Sequence, residues 1–233
     1  MSTIVLIPAA GSGTRMGASI NKQYLQLADR PILAHTVHLF DKHPAVDEIF
    51  IISPSQEIDF CWTEVVKRFN FVKVRDVVTG GAERQDSVRN GLLNCNGQSG
   101  DIVVIHDGVR PFFPSQLLET VVSTAQQDGA CLVAVPVKDT IKEVRDGQVT
   151  GTPERQFLWQ AQTPQAFRFE LIFEAHQRAL QQGVRVTDDT ALVEWLGAPV
   201  TVVKGSYRNI KITTPEDLVL AEAFYRCPEK EAI

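Results

Sequence analysis

The amino-acid sequence predicts an α/β protein built on a doubly wound, mostly parallel, Rossmann-like sheet with a protruding β-hairpin. Short runs rich in isoleucine and valine alternate with segments of helical periodicity along most of the 233 residues, an order typical of parallel sheets flanked by helices. Residues 137–152 switch to an alternation of period two. No internal repeat or linker interrupts the chain, so we expect a single domain over residues 1–233 with a hairpin arm at about 137–156.

Each predicted strand is a short run of consecutive apolar residues. In Ile4-Val5-Leu6-Ile7 four aliphatic side chains follow one another, which is typical of a strand buried on both faces. Comparable runs predict further strands over residues 47–52, 72–74, 101–105, 131–135, 157–161 and 200–203.

Proline, glycine and capping residues mark the predicted helices. Pro31 opens a helix to residue 40, and Ser53-Pro54-Ser55-Gln56 predicts an N-cap and capping box for a helix ending at about Phe69. Ser115 is expected to cap a helix that stops at Gly129. Other helices are predicted over residues 86–93, over 169–182 with Gly183 as the stop, after Asp188-Asp189, and after the cap Thr214-Pro215-Glu216-Asp217.

The hairpin is predicted by Asp146-Gly147, which lies between two β-rich runs. This dipeptide is a strong signal for a two-residue hairpin turn. An isolated hairpin is only marginally stable in water, so the arm should pack against something. The residues alone leave two possibilities open: the arm folds onto its own domain, or it reaches a second subunit.

Composition excludes several classes of function. A net charge of −5 argues against non-specific nucleic-acid binding, which usually requires a basic domain. The four cysteines are scattered without a C-x-x-C pair, which favours reduced thiols over disulfides or zinc. No apolar run approaches the ~18 residues of a membrane span, and the chain enters a core strand at residue 4, which leaves no room for a targeting peptide. We expect a cytoplasmic protein without a membrane partner.

The segment after the first strand is the first candidate for a binding site. Glycines at positions 11, 13 and 17 allow backbone N–H groups to approach an anion closely. Arg15 and Lys22 add positive charge, which favours a triphosphate loop over a plain strand–turn connection. A dinucleotide-binding loop would need the spacing G-x-G-x-x-G before a helix, and this sequence departs from it.

This loop resembles the signature of the nucleotidyltransferases that load CTP onto polyol phosphates. The matching residues are Pro8-Ala9-Ala10-Gly11-Ser12-Gly13-Thr14-Arg15-Met16 followed by Lys22-Gln23-Tyr24. The resemblance is greatest to the 2-C-methyl-D-erythritol 4-phosphate cytidylyltransferase family of the non-mevalonate isoprenoid pathway, and it extends from residue 4 to about residue 225. It implies a nucleotidyltransferase fold, and it implies that Arg15, Lys22 and Lys211 are catalytic. It assigns nucleotide contacts to Pro8, Ala9, Ala10, Gly11, Ser12, Gly13, Arg15 and Lys22.

A second glycine loop, Gly80-Gly81-Ala82-Glu83-Arg84-Gln85-Asp86-Ser87, lies ahead of a predicted helix. Backbone donors at such a helix N-terminus suit an anion or a base edge. In the resembled family the matching loop recognises the cytosine of CTP, which implies nucleotide contacts for Gly81, Ala82, Arg84 and Ser87. The family often has an acidic residue where Ala82 stands, so only a backbone contact is expected from that position.

Asp107 follows the fourth strand, in His106-Asp107-Gly108-Val109-Arg110-Pro111. A carboxylate there is well placed to hold Mg²⁺ together with phosphate oxygens, so a divalent cation is the expected cofactor. The family more often reads H-D-A-A-R-P, and Gly108 and Val109 depart from that pattern. The resemblance implies that Asp107 and Gly108 contact the nucleotide and that Asp107 and Arg110 also contact the acceptor.

The remaining polar segments match, in order, the family's acceptor-binding segments. The resemblance therefore assigns acceptor contacts to Thr140, Arg155, Thr163, Thr187 and Lys211. Thr140 and Arg155 flank the hairpin, and the family uses this arm to form a homodimer, so they should serve the partner subunit's site.

The implied reaction is in-line attack by a phosphate oxygen of the acceptor on the α-phosphorus of CTP, which expels pyrophosphate. A phosphate monoester has its second pKa near ~6 and is largely a dianion at neutral pH, so a general base is not required. Three alternatives stay open: a sister enzyme acting on ribitol 5-phosphate or a related polyol phosphate, a dinucleotide-dependent reductase, and a non-enzymatic nucleotide-binding domain. The Pro-Ala-Ala-Gly opening favours methylerythritol phosphate over its sisters.

Overall fold

The computed structural model describes residues 1–11 and 21–227, so the predictions for Ser12, Gly13 and Arg15 lie outside the described residues. The strands are β1 (Thr3–Pro8), β2 (Gln26–Leu27), β3 (Arg30–Pro31), β4 (Glu48–Ser53), β5 (Val74–Thr79), β6 (Ile102–Ile105), β7 (Ala130–Pro136), β8 (Glu143–Arg145), β9 (Gln148–Gly151), β10 (Trp159–Arg168) and β11 (Thr201–Lys204). The helices are α1 (Ile32–Asp41), α2 (Ile58–Cys61), α3 (Arg84–Asn94), α4 (Leu118–Asp128), α5 (Phe169–Gln182), α6 (Asp189–Trp195) and α7 (Pro215–Arg226).

In the described part of the chain, seven strands form the central sheet in the order β11-β7-β10-β6-β1-β4-β5. β1 pairs in parallel with β4 and β6, β4 with β5, and β7 with β11. Only β10 among these is antiparallel, to both β6 and β7. The prediction of a doubly wound, mostly parallel sheet is confirmed.

Apolar side chains cover both faces of this sheet, as β1 shows. Val5 and Ile7 belong to one hydrophobic cluster, while Ile4 and Leu6 belong to a second cluster on the other face. All four are at most 2% exposed, because successive side chains of a strand point to opposite faces and helices cover both. Among the described residues, no helix combines the length and the apolar character that a membrane crossing requires.

The third strand was predicted in the wrong place. The expectation was residues 72–74, whereas β5 runs from Val74 to Thr79. β5 is the last strand of the sheet order and pairs with β4 on one side, so one of its faces can carry polar side chains. Arg75 and Asp76 are exposed, and they interrupt the continuous apolar run by which the other strands were predicted.

Two helix starts also differ from the prediction. Ser53 is the last residue of β4 rather than an N-cap, and its hydroxyl is hydrogen-bonded to the Tyr24 hydroxyl at 3.2 Å. The following segment is a 3₁₀ turn at Ser55–Glu57, then α2, then a π-helical stretch at Trp62–Lys67. Ser115 lies inside a 3₁₀ turn before α4 instead of capping it. In the case of Ser53, a tertiary contact replaces the local capping pattern.

The strand-like segment at 157–161 is part of a longer element. A 3₁₀ turn occupies Arg155–Phe157, and β10 continues to Arg168 with an irregularity in its pairing between Ala161 and Gln165. Thr163, which the resemblance assigned to acceptor binding, therefore lies within an interior strand of the sheet.

Several local signals are confirmed. Gly183 follows α5 in the left-handed conformation with φ 66°, and Asp188 caps α6 by accepting a hydrogen bond from the Ala191 N–H. Thr214 and Asp217 form a reciprocal capping box at the start of α7.

The predicted hairpin is present as β8 and β9, which pair with each other as a separate two-stranded sheet. Its turn residues Asp146 and Gly147 have φ of 49° and 78°. Two positive values are those of the hairpin turn that Asp-Gly favours. Residues 141–150 are all exposed, so the arm projects from the body of the chain.

Candidate active site

The candidate site lies where the carboxyl ends of the parallel strands β1, β4, β5 and β6 meet at one edge of the sheet, the usual place for ligands in such sheets. The segments that follow β1, β5 and β6 enclose a cavity of about 410 Å³. Its lining residues are Pro8, Ala9, Ala10, Gly11, Lys22, Gln23, Gly81, Ala82, Glu83, Arg84, Ser87, Asp107, Val109 and Lys211. The structure thus brings together almost every described residue that the sequence assigned to nucleotide binding.

Gly108 is the exception, because it packs below this cavity. Its N–H donates to the Pro8 carbonyl at 3.1 Å, and a Cβ at this position would meet Leu33 Cδ1 at 3.0 Å and Ala9 Cβ at 3.2 Å. The close packing explains a glycine here. Val109 lines the cavity in its place.

The loop at residues 80–87 is held in shape by one serine. Ser87 Oγ accepts from the Gly81 N–H at 3.0 Å and donates to the Glu83 carbonyl at 3.0 Å. A Cβ on Gly80 would come within 2.5 Å of the Ala10 Cβ, so only glycine lets this loop approach the segment that follows β1. The two loops form facing walls of the cavity.

Asp107 lies at the floor of the site and contacts three cations. Arg84 Nε donates to Asp107 Oδ1 at 3.2 Å, while Arg110 Nε and Lys211 Nζ lie 3.3 Å and 3.0 Å from Oδ2. The Asp107 N–H donates to Thr163 Oγ1 at 3.0 Å. Burial would raise the pKa of the Asp107 carboxyl, but Arg84, Lys211 and Arg110 outweigh it and hold the pKa well below its usual range.

Arg84 is held by Asp189, which the sequence analysis did not assign to the site. Arg84 Nη1 donates to Asp189 Oδ2 at 2.6 Å, and His176 Nε2 donates to Asp189 Oδ1 at 3.2 Å. Gln165 Oε1 accepts from the Asp189 N–H at 3.1 Å. Burial would lower the pKa of Arg84, yet Asp189 and Asp107 raise it above its usual value. The only sequence signal for Asp189 was the acidic pair Asp188-Asp189 at the start of α6, which an ordinary helix cap explains equally well.

A second cavity, of about 230 Å³, adjoins the first at Arg84, Asp107 and Lys211. It is lined by Arg84, Asp107, Arg110, Ala161, Gln162, Thr163, Gln165, Thr187, Asp188 and Lys211. Asn209 is fully buried and connects two walls of this cavity. Its side-chain NH₂ donates to the Thr163 backbone carbonyl at 2.8 Å, and its backbone carbonyl accepts from Arg110 Nη1 at 2.8 Å. Apart from Thr140 and Arg155, all five predicted acceptor-binding residues line this cavity: Asp107, Arg110, Thr163, Thr187 and Lys211.

Thr140 and Arg155 lie in a different part of the structure, outside the two cavities. Thr140 is exposed in the segment before β8. Arg155 Nη1 donates to the Lys138 carbonyl at 2.6 Å, and Arg155 lines a separate cavity of about 530 Å³ at the base of the hairpin. The fold places neither residue among those lining the two cavities around Asp107.

Lys22 begins a 3₁₀ turn at Lys22–Tyr24 and lines the first cavity. Its Nζ lies 3.8 Å from where a Cβ on Gly11 would be, so its ammonium group lies over the backbone that follows β1. Arg15, the other cation predicted for this loop, lies outside the described residues.

The donor set at the floor of the site bears on the expected metal. No cluster of three or more His, Cys, Asp or Glu side chains that could hold a metal ion occurs within residues 1–11 and 21–227. Both oxygens of Asp107 are engaged by cations. These residues do not form an all-protein metal site, whereas one carboxylate can complete the coordination of a Mg²⁺ ion whose other oxygens come from phosphates and water.

Comparison with known proteins gives one consistent result. The family model described as 2-C-methyl-D-erythritol 4-phosphate cytidylyltransferase matches residues 3–227. Proteins of that name from Syntrophotalea carbinolica and Geobacter metallireducens are 63% and 55% identical, over 98% and 97% of this chain and 98% of each relative. A solved structure of 4-diphosphocytidyl-2C-methyl-D-erythritol synthase from Anaerococcus prevotii is 32% identical, with a TM-score of 0.85, 97% of this chain covered and 96% of that chain.

Proposed function

Because this chain belongs to the 2-C-methyl-D-erythritol 4-phosphate cytidylyltransferase family, we infer that it transfers CMP from CTP to 2-C-methyl-D-erythritol 4-phosphate. The products are 4-diphosphocytidyl-2-C-methyl-D-erythritol and pyrophosphate. The protein is a nucleotidyltransferase that serves isoprenoid precursor biosynthesis.

One structural observation supports this reaction above all others: two cavities meet at a cluster of cations around Asp107. The larger cavity, between the loops after β1 and β5, is suited to CTP, and the smaller one to the polyol phosphate. Lys211 lines both. A group transferred from one ligand to the other would pass the Arg84, Arg110 and Lys211 side chains.

The step itself needs no proton transfer. A non-bridging oxygen of the acceptor's phosphate attacks the α-phosphorus of CTP and forms a new P–O bond. The bond from the α-phosphorus to the α,β-bridging oxygen breaks, and pyrophosphate leaves with that electron pair. The acceptor phosphate is largely a dianion at neutral pH, because its second pKa is near ~6. The protein must therefore supply position and positive charge rather than a base.

We assign that charge to Lys22 and Lys211 at the reacting phosphates, and to Arg15, which lies outside the described residues. Lys22 lies over the Gly11 backbone at the nucleotide side of the cavity. Lys211 is held 3.0 Å from Asp107 Oδ2 and is 40% exposed at its side chain, so it remains accessible to an anion. Arg110, which is more deeply buried and fixed by Asn209, suits the phosphate of the acceptor.

A divalent cation fits this site as a companion of CTP. We propose that Asp107 would hold Mg²⁺ together with phosphate oxygens of the substrates. When bound, the ion neutralises phosphate charge and so makes the α-phosphorus easier to attack. Asp107 also keeps the three surrounding cations in place.

The cytosine is expected at the 80–87 loop. Ala82 offers no side-chain hydrogen bond, so its contribution would come from the backbone. The hydrogen bonds of Ser87 Oγ to Gly81 and Glu83 hold that backbone in position. Arg84 enters the site from the start of α3. These assignments follow the family and the position of the loop at the cavity wall.

We also propose that the protein is a homodimer joined through the hairpin arm. Val144, Val149 and Phe157 on or beside the arm are 56%, 62% and 74% exposed, and apolar surface of this kind favours a protein partner. In this arrangement Thr140 and Arg155 of each chain contact the acceptor in the other chain's site.

A cytoplasmic location is supported by the four free cysteines, since reduced thiols persist there.

The acceptor is tested by incubating the protein with CTP, Mg²⁺ and either 2-C-methyl-D-erythritol 4-phosphate or ribitol 5-phosphate while pyrophosphate release is measured. We expect rapid release only with the former. Faster release with ribitol 5-phosphate would overturn the assignment of the acceptor. Absence of release with every polyol phosphate from a folded preparation would overturn the reaction.

A further inference from the structure

The carboxylate of Glu57 binds the residues on both sides of Lys22. Asn21 Nδ2 donates to Glu57 Oε1, and Gln23 Nε2 donates to Glu57 Oε2 at 3.2 Å. Gln23 is almost completely buried, with 1% of its surface exposed. Each oxygen of one carboxylate thus holds one immediate neighbour of the lysine, across 34 or 36 positions of sequence.

The same part of the chain anchors the next residue. The Tyr24 hydroxyl is hydrogen-bonded to the Ser53 hydroxyl, and the Tyr24 ring packs edge-on against Phe60 at 4.8 Å between ring centres. Ser53 ends β4, and Glu57 and Phe60 follow it within two helical turns. The Lys22–Tyr24 turn is therefore attached to the end of β4 by side chains, in addition to its own backbone bonds.

This attachment has a consequence for the cation between the two amides. A lysine ammonium is a point charge on a flexible four-carbon stem, so its position depends on how firmly its backbone is held. Charge stabilises a transition state most effectively when it is already in place before the reaction. Holding residues 21 and 23 limits the motion of the Lys22 backbone on both sides.

We propose that Glu57 is a positioning residue that acts through Lys22, by clamping Asn21 and Gln23 so that the ammonium group is held at the cavity wall. The inference rests on the role proposed above for Lys22 at the triphosphate. Glu57 lines neither of the cavities around Asp107, and its effect on turnover is indirect.

The test compares Glu57→Ala and Glu57→Gln with Glu64→Ala as the matched control. Glu64 lies in the π-helical stretch that follows α2 and pairs with Arg68 at 2.9 Å, and it lines neither of the cavities around Asp107. We expect Glu57→Ala to lower kcat/KM for CTP by about tenfold or more, with the KM for the acceptor unchanged. Glu57→Gln should recover most of the loss, because a glutamine oxygen accepts from one amide and the other amide can turn its oxygen toward the glutamine NH₂. Glu64→Ala should behave as the unaltered protein.

Coupling to Lys22 provides the readout that a purely structural role would not give. In a Lys22→Ala background, adding Glu57→Ala should change kcat/KM by less than about twofold, because residues that act through one another are not additive. A further tenfold loss in that background would overturn the proposal. If Glu57→Ala does not fold, Asn21→Ala removes half of the clamp, and unaltered kinetics in that variant would overturn it equally.

The two proposals fail differently. Near-normal turnover in Lys22→Ala would remove the role of the lysine itself. If Lys22→Ala lost most of its turnover while Glu57→Ala remained fully active, the role of Glu57 would be refuted and the proposed reaction would stand.

Discussion

At the scale of single residues, Asp107 holds three cations together at the centre of the candidate site, and it is also the residue proposed to contact the metal ion. Its carboxylate is 8% exposed at the side chain and is the shared partner of Arg84, Arg110 and Lys211. Because those three cations converge on one buried anion, removing its charge leaves them facing one another. The residue is therefore needed for the integrity of the site as well as for any metal contact.

We predict that Asp107→Asn lowers both stability and turnover. Removing one partner of a buried ion cluster costs on the order of 3 kcal/mol, so the melting temperature should fall clearly, and it can be measured by calorimetry. Asp41→Asn is the matched control, since Asp41 is also a buried, ion-paired aspartate but lies at the end of α1. The control should lose stability and keep its kcat. Equal activity in both variants would contradict a catalytic site at Asp107.

We predict that activity requires a divalent cation and that the ion binds with CTP. Within the described residues no cluster of three or more His, Cys, Asp or Glu side chains could hold a metal ion, and Asp107 is already engaged by cations. Calorimetry should therefore detect saturable Mg²⁺ binding only when CTP is present. Asp107→Asn should weaken the response of the rate to Mg²⁺. Full activity in excess chelator would rule out the metal altogether.

We predict that Lys22→Ala keeps its fold and loses at least about a hundredfold in kcat, the cost of removing a preorganised cation from a transition state. Lys22 is half-buried at the surface of the cavity rather than part of the core, so the circular dichroism spectrum should not change. Lys67→Ala, at an exposed position after α2, is the control and should retain full activity. Near-normal turnover in a folded Lys22→Ala protein would refute the assignment.

At the scale of elements, the capping box of α7 links local sequence to the packing near the site. Thr214 and Asp217 satisfy each other's backbone groups, and α7 contributes Ala221 to a small hydrophobic cluster with Leu27 and Ile212. Ile212 is the neighbour of Lys211 in the chain. The start of α7 therefore helps to fix the segment that carries this lysine.

We predict that Thr214→Ala lowers the stability of the protein by about 1 kcal/mol, with little change in kcat.

The cap also predicts that stability depends on pH. Burial would raise the pKa of Asp217, but N–H groups of Thr213 and Thr214 donate to its carboxylate and lower the pKa overall. Because the folded-state pKa is depressed, the stabilisation is present above the unfolded-state pKa and is lost in the acidic range, as the pH falls below the unfolded-state pKa and through the folded-state value.

Thermal melting at several pH values tests this. Asp217→Asn should reduce the loss of stability over that acidic range relative to the unaltered protein. An identical acid profile in the variant would show that the cap does not contribute to it.

At the scale of the whole molecule, the proposed dimer would complete each site with residues from the partner's arm. Arg155 lies at the base of the hairpin, in a cavity separate from the two around Asp107. Arginine is suited to bidentate contacts with phosphate. If it acts on the partner's acceptor, the active unit is the dimer.

We predict that Arg155→Ala mainly raises the KM for the polyol phosphate, with a smaller effect on CTP. Mixing Arg155→Ala chains with Lys22→Ala chains should restore activity, because one of the two sites in each heterodimer would then receive both original residues. Size-exclusion chromatography establishes the dimer, and subunit exchange is followed by the rate of pyrophosphate release. No recovery from demonstrated heterodimers would show that Arg155 serves its own chain or neither site.

Sequence patterns predicted the parts of this fold that depend on local chemistry. Ile4-Val5-Leu6-Ile7 became the buried β1 because a run of aliphatic residues requires cover on both faces. Asp146-Gly147 formed the hairpin turn because both positions need positive φ. The prediction failed where tertiary context decided the outcome: Ser53 bonds to Tyr24 instead of capping a helix, and the exposed residues of β5 are tolerated because it ends the sheet.

The sequence by itself determined the fold class, the arm, the family resemblance and most of the residues that the structure collects around the first cavity. Tertiary structure alone decided how their charges are connected. That Asp107 gathers three cations, that Asp189 and His176 hold Arg84, and that Glu57 clamps the neighbours of Lys22 all depend on residues far apart in the chain. A charged or amide side chain carries no local signal of its partner, because it finds that partner only when distant strands and helices have packed together.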